Sequence, residues 1–343
     1  MQALILAGGQ GTRLRPLTES VPKPVLPLAG RPHIAYVIDW LESHGVDDVV
    51  VSCGHLADGV RAALEGITGP RLRFATEPEP RGTAGAIRFA ADQLGERFLV
   101  LNGDVLCDLD LTAMIAQHES TGARATIALY PVEDPSAYGL VRREPDGEIL
   151  DFLEKPDPAE IDTDEINAGV YFLERSVLDL IPPDVAVSIE REVFPRLVGE
   201  GLYGRRCEGY WIDIGTPDRY LQASWDILEG RVETATGKRV DGDGLLVEDG
   251  AELHPSARVT APAMVEAGSM IEQDAAVGPR AVLGPGCTIA GGASVTGSVL
   301  LAGCEVGSGA VVDGSILSAD AAVAPEAGID AGTVVGAGER VGG

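Results

Sequence analysis

The sequence predicts an α/β protein in two parts, a mostly parallel sheet with helices followed by a left-handed parallel β-helix. Two observations lead to this prediction. In the first 230 residues short β-forming runs alternate with helical stretches, and after residue 252 an aliphatic residue recurs every six positions. With 343 residues, of which 45% are hydrophobic, the chain can fill more than one core, so two domains are expected.

The first part contains runs that predict buried strands, at residues 3–7, 49–52, 98–101, 126–130 and 170–173. Strands that alternate with helices form a Rossmann-like, mostly parallel sheet. Because ligands bind at the carboxyl ends of such strands, the residues directly after each run are candidate site residues. This domain is predicted to span residues 1–230.

The second part is predicted from its hexad repeat. A large aliphatic residue stands at every sixth position in a first run, at Leu253, Val259, Val265, Ile271, Val277, Leu283, Ile289, Val295 and Leu301. After a slip in the spacing, the six-residue repeat resumes at Val323, Ile329, Val335 and Val341. In a parallel β-helix each hexad makes one face and points its aliphatic residue inward. We expect a linker at 231–252 and the β-helix at 253–343, with its flat faces joining copies of the chain into a homo-oligomer.

The charge excludes several partners. The 53 acidic and 26 basic residues give a net charge of −27, which repels a nucleic-acid backbone and an anionic membrane surface. The five cysteines show no metal-ligand spacing, and the sequence shows neither a signal-peptide pattern nor a run long enough to span a bilayer. We therefore expect a cytoplasmic protein that binds neither nucleic acid nor membranes.

A glycine-rich segment, Leu-Ala-Gly-Gly-Gln-Gly-Thr-Arg-Leu-Arg-Pro, follows the first predicted strand at residues 6–16. Such a segment lets backbone amides approach a polyphosphate. It is not the dinucleotide-binding fingerprint, because Leu14 replaces the third glycine, and no Gly-Lys-Ser/Thr follows as in a P-loop. Lys23 then stands between two prolines that fix its backbone. Arg13 and Lys23 are thus candidate phosphate ligands, and the alternative is a glycine turn without function.

Residues 6–24 resemble the signature of the sugar-1-phosphate nucleotidyltransferases. This resemblance implies an enzyme that joins a sugar 1-phosphate to a nucleoside triphosphate and releases pyrophosphate. It implies that Arg13 and Lys23 are catalytic residues that bind and polarise the triphosphate. It also implies nucleotide-binding residues in the glycine-rich segment and in a later one, namely Ala7, Gly8, Gly9, Gly11, Thr12, Gly82 and Thr83.

Two distant aspartates are candidate metal ligands. Asp104 directly follows a predicted strand, and Asp213 lies in the segment Tyr-Trp-Ile-Asp-Ile-Gly-Thr-Pro at 210–217. Magnesium prefers one or two carboxylates together with substrate phosphates, although an aspartate at such a place can also simply cap a turn. The resemblance implies that Asp104 and Asp213 are catalytic and hold Mg²⁺. Asp108 and Asp110 are expected to cap a helix that begins near Leu111.

A third set of candidate site residues consists of Glu154 and Lys155, which directly precede a proline, and of Asn167 further along the chain. A surface Glu-Lys pair is usually a weakly stabilising salt bridge, but at a strand end it can offer an acceptor to sugar hydroxyls and a cation to a phosphate. The resemblance implies that Glu154, Lys155 and Asn167 bind the sugar phosphate, together with the backbone of Gly139.

Glu77 bears on the identity of the base, because thymidylyl and uridylyl relatives have a glutamine at the matching position. Guanine presents adjacent N–H donors that a carboxylate accepts in bidentate fashion, whereas uracil and thymine flank a single N–H with carbonyls. Glu77 is therefore a candidate nucleotide-binding residue that favours GTP. The alternatives are that Glu77 faces solvent or that Glu79 takes this role.

Segments 82–85, 101–108, 188–195 and 211–217 resemble mannose-1-phosphate guanylyltransferases, which implies mannose 1-phosphate as the acceptor and GDP-mannose as the product. Arg81, where a leucine is common, and the slip of the hexads after Leu301 depart from the resemblance. No catalytic His or Cys is expected, because a phosphate nucleophile is already an anion near neutral pH.

Other readings of the same segments stay open. They are a glucose-1-phosphate thymidylyl- or uridylyltransferase and a non-catalytic regulatory paralogue that binds a GDP-sugar. An acyltransferase site in the β-helix is disfavoured, since His254 is the only histidine after residue 250.

Overall fold

A computed structural model describes residues 1–54, 56–240, 242 and 244–342. Its α-helices are α1 (His33–Ser43), α2 (Ala57–Ala63), α3 (Gly82–Phe89), α4 (Leu111–Thr121), α5 (Phe194–Leu197) and α6 (Pro217–Leu228). The strands up to residue 213 are β1 (Gln2–Leu6), β2 (Pro27–Leu28), β3 (Arg31–Pro32), β4 (Asp48–Cys53), β5 (Arg71–Thr76), β6 (Arg97–Asn102), β7 (Val105–Cys107), β8 (Ala125–Pro131), β9 (Gly139–Arg143), β10 (Ile149–Glu154), β11 (Glu165–Glu174), β12 (Leu202–Arg206) and β13 (Trp211–Asp213).

The later strands are short and evenly spaced. They are β14 (Leu245–Val247), β15 (Glu252–Leu253), β16 (Arg258–Val259), β17 (Ala263–Val265), β18 (Met270–Ile271), β19 (Ala276–Val277), β20 (Ala281–Leu283), β21 (Thr288–Ile289), β22 (Ser294–Thr296), β23 (Val299–Leu300), β24 (Glu305–Val306), β25 (Val311–Asp313), β26 (Ile316–Leu317), β27 (Ala322–Val323), β28 (Gly328–Ile329), β29 (Val334–Val335) and β30 (Arg340–Val341).

The chain forms two compact units. One comprises Met1–Gly9 and Val37–Trp211, and the other comprises Gln10–Tyr36 and Ile212–Gly343. The first strand of the later repeat, β14, pairs in parallel with β17 and lies inside the segment predicted as a linker. The domain boundaries expected from the sequence stay a prediction.

The first unit is built on one large twisted sheet. Its central strands β5, β4, β1 and β6 are parallel neighbours, and β11 joins them in antiparallel orientation beside β6. The core behind this sheet is apolar, with Leu4, Phe98 and Tyr171 fully buried. Each strand predicted from the sequence is present, and the predicted Rossmann-like α/β class is confirmed.

The second unit contains three parallel stacks of short strands, as expected for a hexad β-helix. Val265 pairs with Leu283, 18 residues later, but Leu283 pairs with Leu300 and Leu300 with Leu317, each 17 residues later. The prediction of Leu301 as the inward residue is therefore wrong, because a first shortened coil has already shifted the phase by one residue, and a second one shifts it again before Leu317. These two missing residues account for the slip seen in the sequence, and the parallel β-helix itself is confirmed.

Candidate active site

The carboxyl ends of β1 and β6 bring two predicted segments together. The Gly103 N–H donates to the carbonyl of Leu6 over 2.9 Å, directly before Ala7. A Cβ at residue 103 would lie 2.5 Å from that carbonyl oxygen, so only glycine allows this approach. Asp104 follows at once and is half-buried.

Glu77 lies at the end of β5 and is only 7% exposed, so the alternative that it faces solvent is wrong. The Ser52 hydroxyl donates to Glu77 Oε1 over 2.7 Å. A Cβ at Gly8 would lie 3.4 Å from the same oxygen, so this carboxylate borders the glycine-rich segment. Burial raises the pKa of Glu77, and the Ser52 hydrogen bond opposes that rise. Glu79 is exposed.

Gly82 and Thr83 begin α3 and are held by the segment that follows residue 186. Gly82 has a φ of +69°, and a Cβ there would lie 2.6 Å from the Val187 carbonyl oxygen. The Thr83 hydroxyl accepts from the Ile189 N–H at 2.8 Å and donates to Glu190 Oε2 at 2.7 Å. A hydroxyl has one donor and two acceptor positions, so Thr83 keeps one acceptor position for a ligand.

Glu154 and Gly139 are paired neighbours on β10 and β9. A Cβ at Gly139 would lie 3.1 Å from Glu154 Oε2. Burial and then the nearby charge of Glu190 raise the pKa of Glu154, while Lys155 opposes that rise. Lys155 adopts a left-handed φ of 56° and donates its N–H to the Tyr138 carbonyl. The predicted sugar-phosphate residues 139, 154 and 155 therefore lie together.

Asn167 lies at an irregularity of β11, where the pairing with β8 shifts register before Tyr171. Such a bulge turns a side chain out of the regular alternation. The Asn167 amide donates from Nδ2 to the Tyr171 hydroxyl at 3.0 Å and accepts at Oδ1 from the Gly169 N–H at 2.9 Å. One amide hydrogen of Asn167 then remains for a ligand.

In the second unit the glycine-rich segment continues through Gly11. Gly11 has a φ of +62°, and the Thr18 hydroxyl donates to its carbonyl at 2.8 Å. A Cβ at residue 11 would lie 3.1 Å from Lys23 Cβ, so the lysine stem packs on this turn. Lys23 is 9% exposed, whereas Thr12 and Arg13 are exposed.

Asp213 lies just before α6 among basic groups of the same unit. Its Oδ1 accepts from the Gly215 N–H at 3.0 Å, and its Oδ2 pairs with Arg219. A Cβ at Gly215 would lie 2.6 Å from Asp213 Oδ1 and 2.9 Å from Arg13 Nη2. The structure thus brings the predicted catalytic residues Arg13 and Asp213 close together. That Asp104 and Asp213 share one ion stays a prediction.

Several residues at these sites have no role in the sequence analysis. Ser52, Tyr171 and Glu190 hydrogen-bond predicted site residues within the first unit, and Arg219 does so in the second. Glu190 stands in a segment that supported the family resemblance, which is the only signal that could have pointed to it. Its partners are up to 107 residues away in the chain.

The comparisons with known proteins agree with this architecture. Residues 2–230 match the family model described as nucleotidyl transferase, and residues 259–342 match the GMPPB C-terminal domain. The first match covers more than half of the chain, which therefore belongs to the nucleotidyl transferase family and is a nucleotidyltransferase.

Similar proteins with known names belong to one kind of nucleotidyltransferase. The chain is 38% identical to "Mannose-1-phosphate guanylyltransferase" of Mycobacterium tuberculosis over 264 residues, which is 75% of this chain and 72% of that protein. It is 40% identical to "Probable mannose-1-phosphate guanylyltransferase 2" of Arabidopsis thaliana over 270 residues, 74% and 73% of the two chains. The crystal structure of HddC from Yersinia pseudotuberculosis complexed with GMP-PN is 30% identical, with a TM-score of 0.55 over 65% of this chain and 97% of that chain.

Two further observations concern the expected location. No helix in the part of the chain that the structure describes is long and apolar enough to cross a membrane. The cysteines are all unpaired and buried.

Proposed function

We propose that this nucleotidyltransferase transfers the guanylyl group of GTP to mannose 1-phosphate in the cytoplasm, forming GDP-mannose and releasing pyrophosphate. The observation that carries the proposal is the buried carboxylate of Glu77 beside Gly8. It offers two acceptor oxygens to the adjacent N–H donors of guanine, next to a segment suited to phosphates. The names of the relatives support the same base and the same sugar.

The proposed reaction is an in-line displacement. An oxygen of the sugar phosphate attacks the α-phosphorus of GTP, while Arg13 and Lys23 offset the charge that develops on the phosphates. No general base is required, because the second pKa of a phosphate monoester is about 6. Glu154, Lys155, Asn167 and the Gly139 backbone hold the sugar phosphate for this attack.

Asp104 and Asp213 are proposed to hold Mg²⁺. Among the residues described, no group of three or more His, Cys, Asp or Glu side chains is arranged around a metal position. Magnesium takes one or two carboxylates and completes its shell with substrate phosphates. The Asp213 carboxylate is a hard oxygen donor whose Oδ1 accepts from the Gly215 N–H. When bound, the ion would supply positive charge at the phosphates.

The function is tested by pyrophosphate release from GTP, UTP, dTTP and ATP, each with mannose 1-phosphate and glucose 1-phosphate. We expect GTP with mannose 1-phosphate to be turned over best, and Glu77→Gln to lower kcat/KM for GTP by about 10- to 100-fold, because one acceptor facing guanine becomes a donor. Glu79→Gln is the matched control and should leave the preference unchanged. Preference for UTP or dTTP would favour a thymidylyl- or uridylyltransferase, and GDP-mannose binding without turnover would favour the regulatory paralogue.

The pH dependence of this assay tests Glu77 separately. Because its pKa is raised and guanine binds the ionised form, KM for GTP should fall as the pH rises through the pKa of Glu77. The Glu77→Gln variant should lose this dependence. The homo-oligomer formed through the β-helix faces also stays a proposal, and light scattering of the whole chain would measure it.

A further inference from the structure

Glu190 lies between two groups of site residues in the first unit and is not among the predicted contacts of either substrate. It belongs to a π-helical turn at Ile189–Val193 that ends in α5. Its Oε2 accepts from the Thr83 and Ser188 hydroxyls, both at 2.7 Å. Its Oε1 accepts from the Tyr171 hydroxyl at 3.4 Å. Three hydroxyl donors therefore converge on one carboxylate.

Two of the residues that donate to Glu190, Thr83 and Tyr171, make further hydrogen bonds. Thr83 is a predicted nucleotide residue, and its hydroxyl also accepts the Ile189 N–H. On the other side, Tyr171 accepts from the amide of Asn167, a predicted sugar-phosphate residue. Tyr171 is fully buried, and burial raises its pKa, so its hydroxyl keeps the proton that it donates.

The direction of each hydrogen bond is fixed by the charge of Glu190. An ionised carboxylate only accepts, so the Tyr171 hydrogen must point toward it. Tyr171 can then only accept from Asn167, which orients the Asn167 amide with Oδ1 on the Gly169 N–H. The free amide hydrogen of Asn167 is thereby presented in one defined direction.

We propose that Glu190 is a positioning residue that orients Thr83 at the nucleotide subsite and, through Tyr171, Asn167 at the sugar-phosphate subsite. The assignment of the two subsites rests on the proposed function. Glu190 touches neither substrate, and it acts by fixing which atoms of Thr83 and Asn167 donate and which accept.

A glutamine at residue 190 makes a sharp test, because it has the same shape but turns one acceptor into a donor. Its carbonyl should keep the two short contacts to Thr83 and Ser188, which leaves its NH₂ group facing Tyr171. The Tyr171 hydroxyl must then turn its hydrogen toward Asn167, and the Asn167 amide flips. We expect Glu190→Gln to raise KM for the sugar 1-phosphate by about 10-fold or more, with a much smaller change in KM for the nucleotide.

The control is Glu192→Gln in the same turn. Glu192 is exposed and accepts only the Ser188 N–H in the described structure. The KM values of the Glu192→Gln variant should therefore match those of the wild type. Tyr171→Phe should reproduce the rise in KM for the sugar 1-phosphate, and the double variant Glu190→Gln/Tyr171→Phe should be no worse than either single variant. Equal changes in both KM values, or fully additive effects, would overturn the proposal.

A readout without turnover separates this inference from the proposed function. The side-chain amide resonances of Asn167, assigned with Asn167→Asp, should shift in Glu190→Gln and stay in place in Glu192→Gln. Unmoved resonances in a folded Glu190→Gln protein would contradict the orienting role. Wild-type protein that turns over none of the substrate pairs would contradict the proposed function instead, while the resonance shift would still decide the role of Glu190.

Discussion

One of the local contacts that hold Asp213 does not require its negative charge. Its Oδ1 accepts from the Gly215 N–H, and an asparagine side chain can accept the same hydrogen bond. The charge itself faces Arg219 on one side and lies close to Arg13 on the other. The hydrogen bond from Gly215 therefore depends on the shape of this side chain, whereas the pairing with Arg219 and the proposed metal binding depend on its charge.

The variant Asp213→Asn keeps the shape of this side chain and removes its charge, so it tests the role of the charge in turnover. We expect turnover to fall by at least about 100-fold, because a carboxylate ligand for magnesium is lost, while the melting temperature changes little. Pyrophosphate release and thermal unfolding measure the two effects. Asp218→Asn, an exposed residue in the first turn of α6, should keep full activity. Retained turnover of Asp213→Asn at saturating magnesium would count against the metal site.

The hairpin of β2 and β3 packs on the β-helix within the second unit. Gly30 in its turn has a φ of +81°, and a Cβ there would lie 2.5 Å from the Met264 methyl group. A cavity of about 210 Å³ lies beside this contact and is lined mainly by apolar groups together with Glu266. Burial, and then the charge of Glu248, raise the pKa of Glu266 to about 7.

The raised pKa of Glu266 predicts a pH-dependent stability. The neutral form is favoured in the folded state, so this contribution to stability is complete below the usual pKa of 4.5 and is lost as the pH rises through about 7. Glu266→Gln should therefore raise the melting temperature at pH 8 and leave it nearly unchanged at pH 4. Glu252→Gln, on the exposed strand β15, should have no such effect. An equal shift at both pH values would contradict the assignment.

At the scale of the whole molecule, the segment that carries Arg13 and Lys23 belongs to the same compact unit as the β-helix. The Tyr36 hydroxyl is 2.8 Å from the Thr236 hydroxyl, and Pro16 lies 3.7 Å from the position of a Cβ at Gly336. The predicted phosphate-binding segment is thus contacted by residues beyond the family match that ends at residue 230, as far along the chain as Gly336.

A chain that ends after residue 230 tests this dependence. We expect it to lose most of its kcat/KM for the nucleotide and to unfold at a lower temperature, because the support of residues 10–36 is removed. The full-length variant Met264→Ala should show a smaller loss of the same kind, since it weakens the hairpin contact alone. Full activity of the truncated chain would show that residues 10–36 need no support from the β-helix.

Local patterns were enough to predict five strands of the first part, the β-helix and the cap of α4. Asp110 accepts from the Thr112 N–H as predicted, since capping is a contact between near neighbours. Asp108 was expected to do the same, but it accepts from the Tyr210 N–H, 102 residues away. The hydrogen bonds of Glu190 are likewise long-range. Contacts of this kind depend on the folded topology, which no spacing along the chain encodes.

The shortened coils of the β-helix bear on how such sequences vary in length. One residue is missing between Val295 and Leu300 and another between Val312 and Leu317, yet the rungs on either side remain aligned. The vertices of this triangular scaffold thus absorb a deletion without rebuilding its interior. Homologous chains can gain or lose single amino acids there independently, and an alignment of them should show isolated one-residue gaps at these vertices.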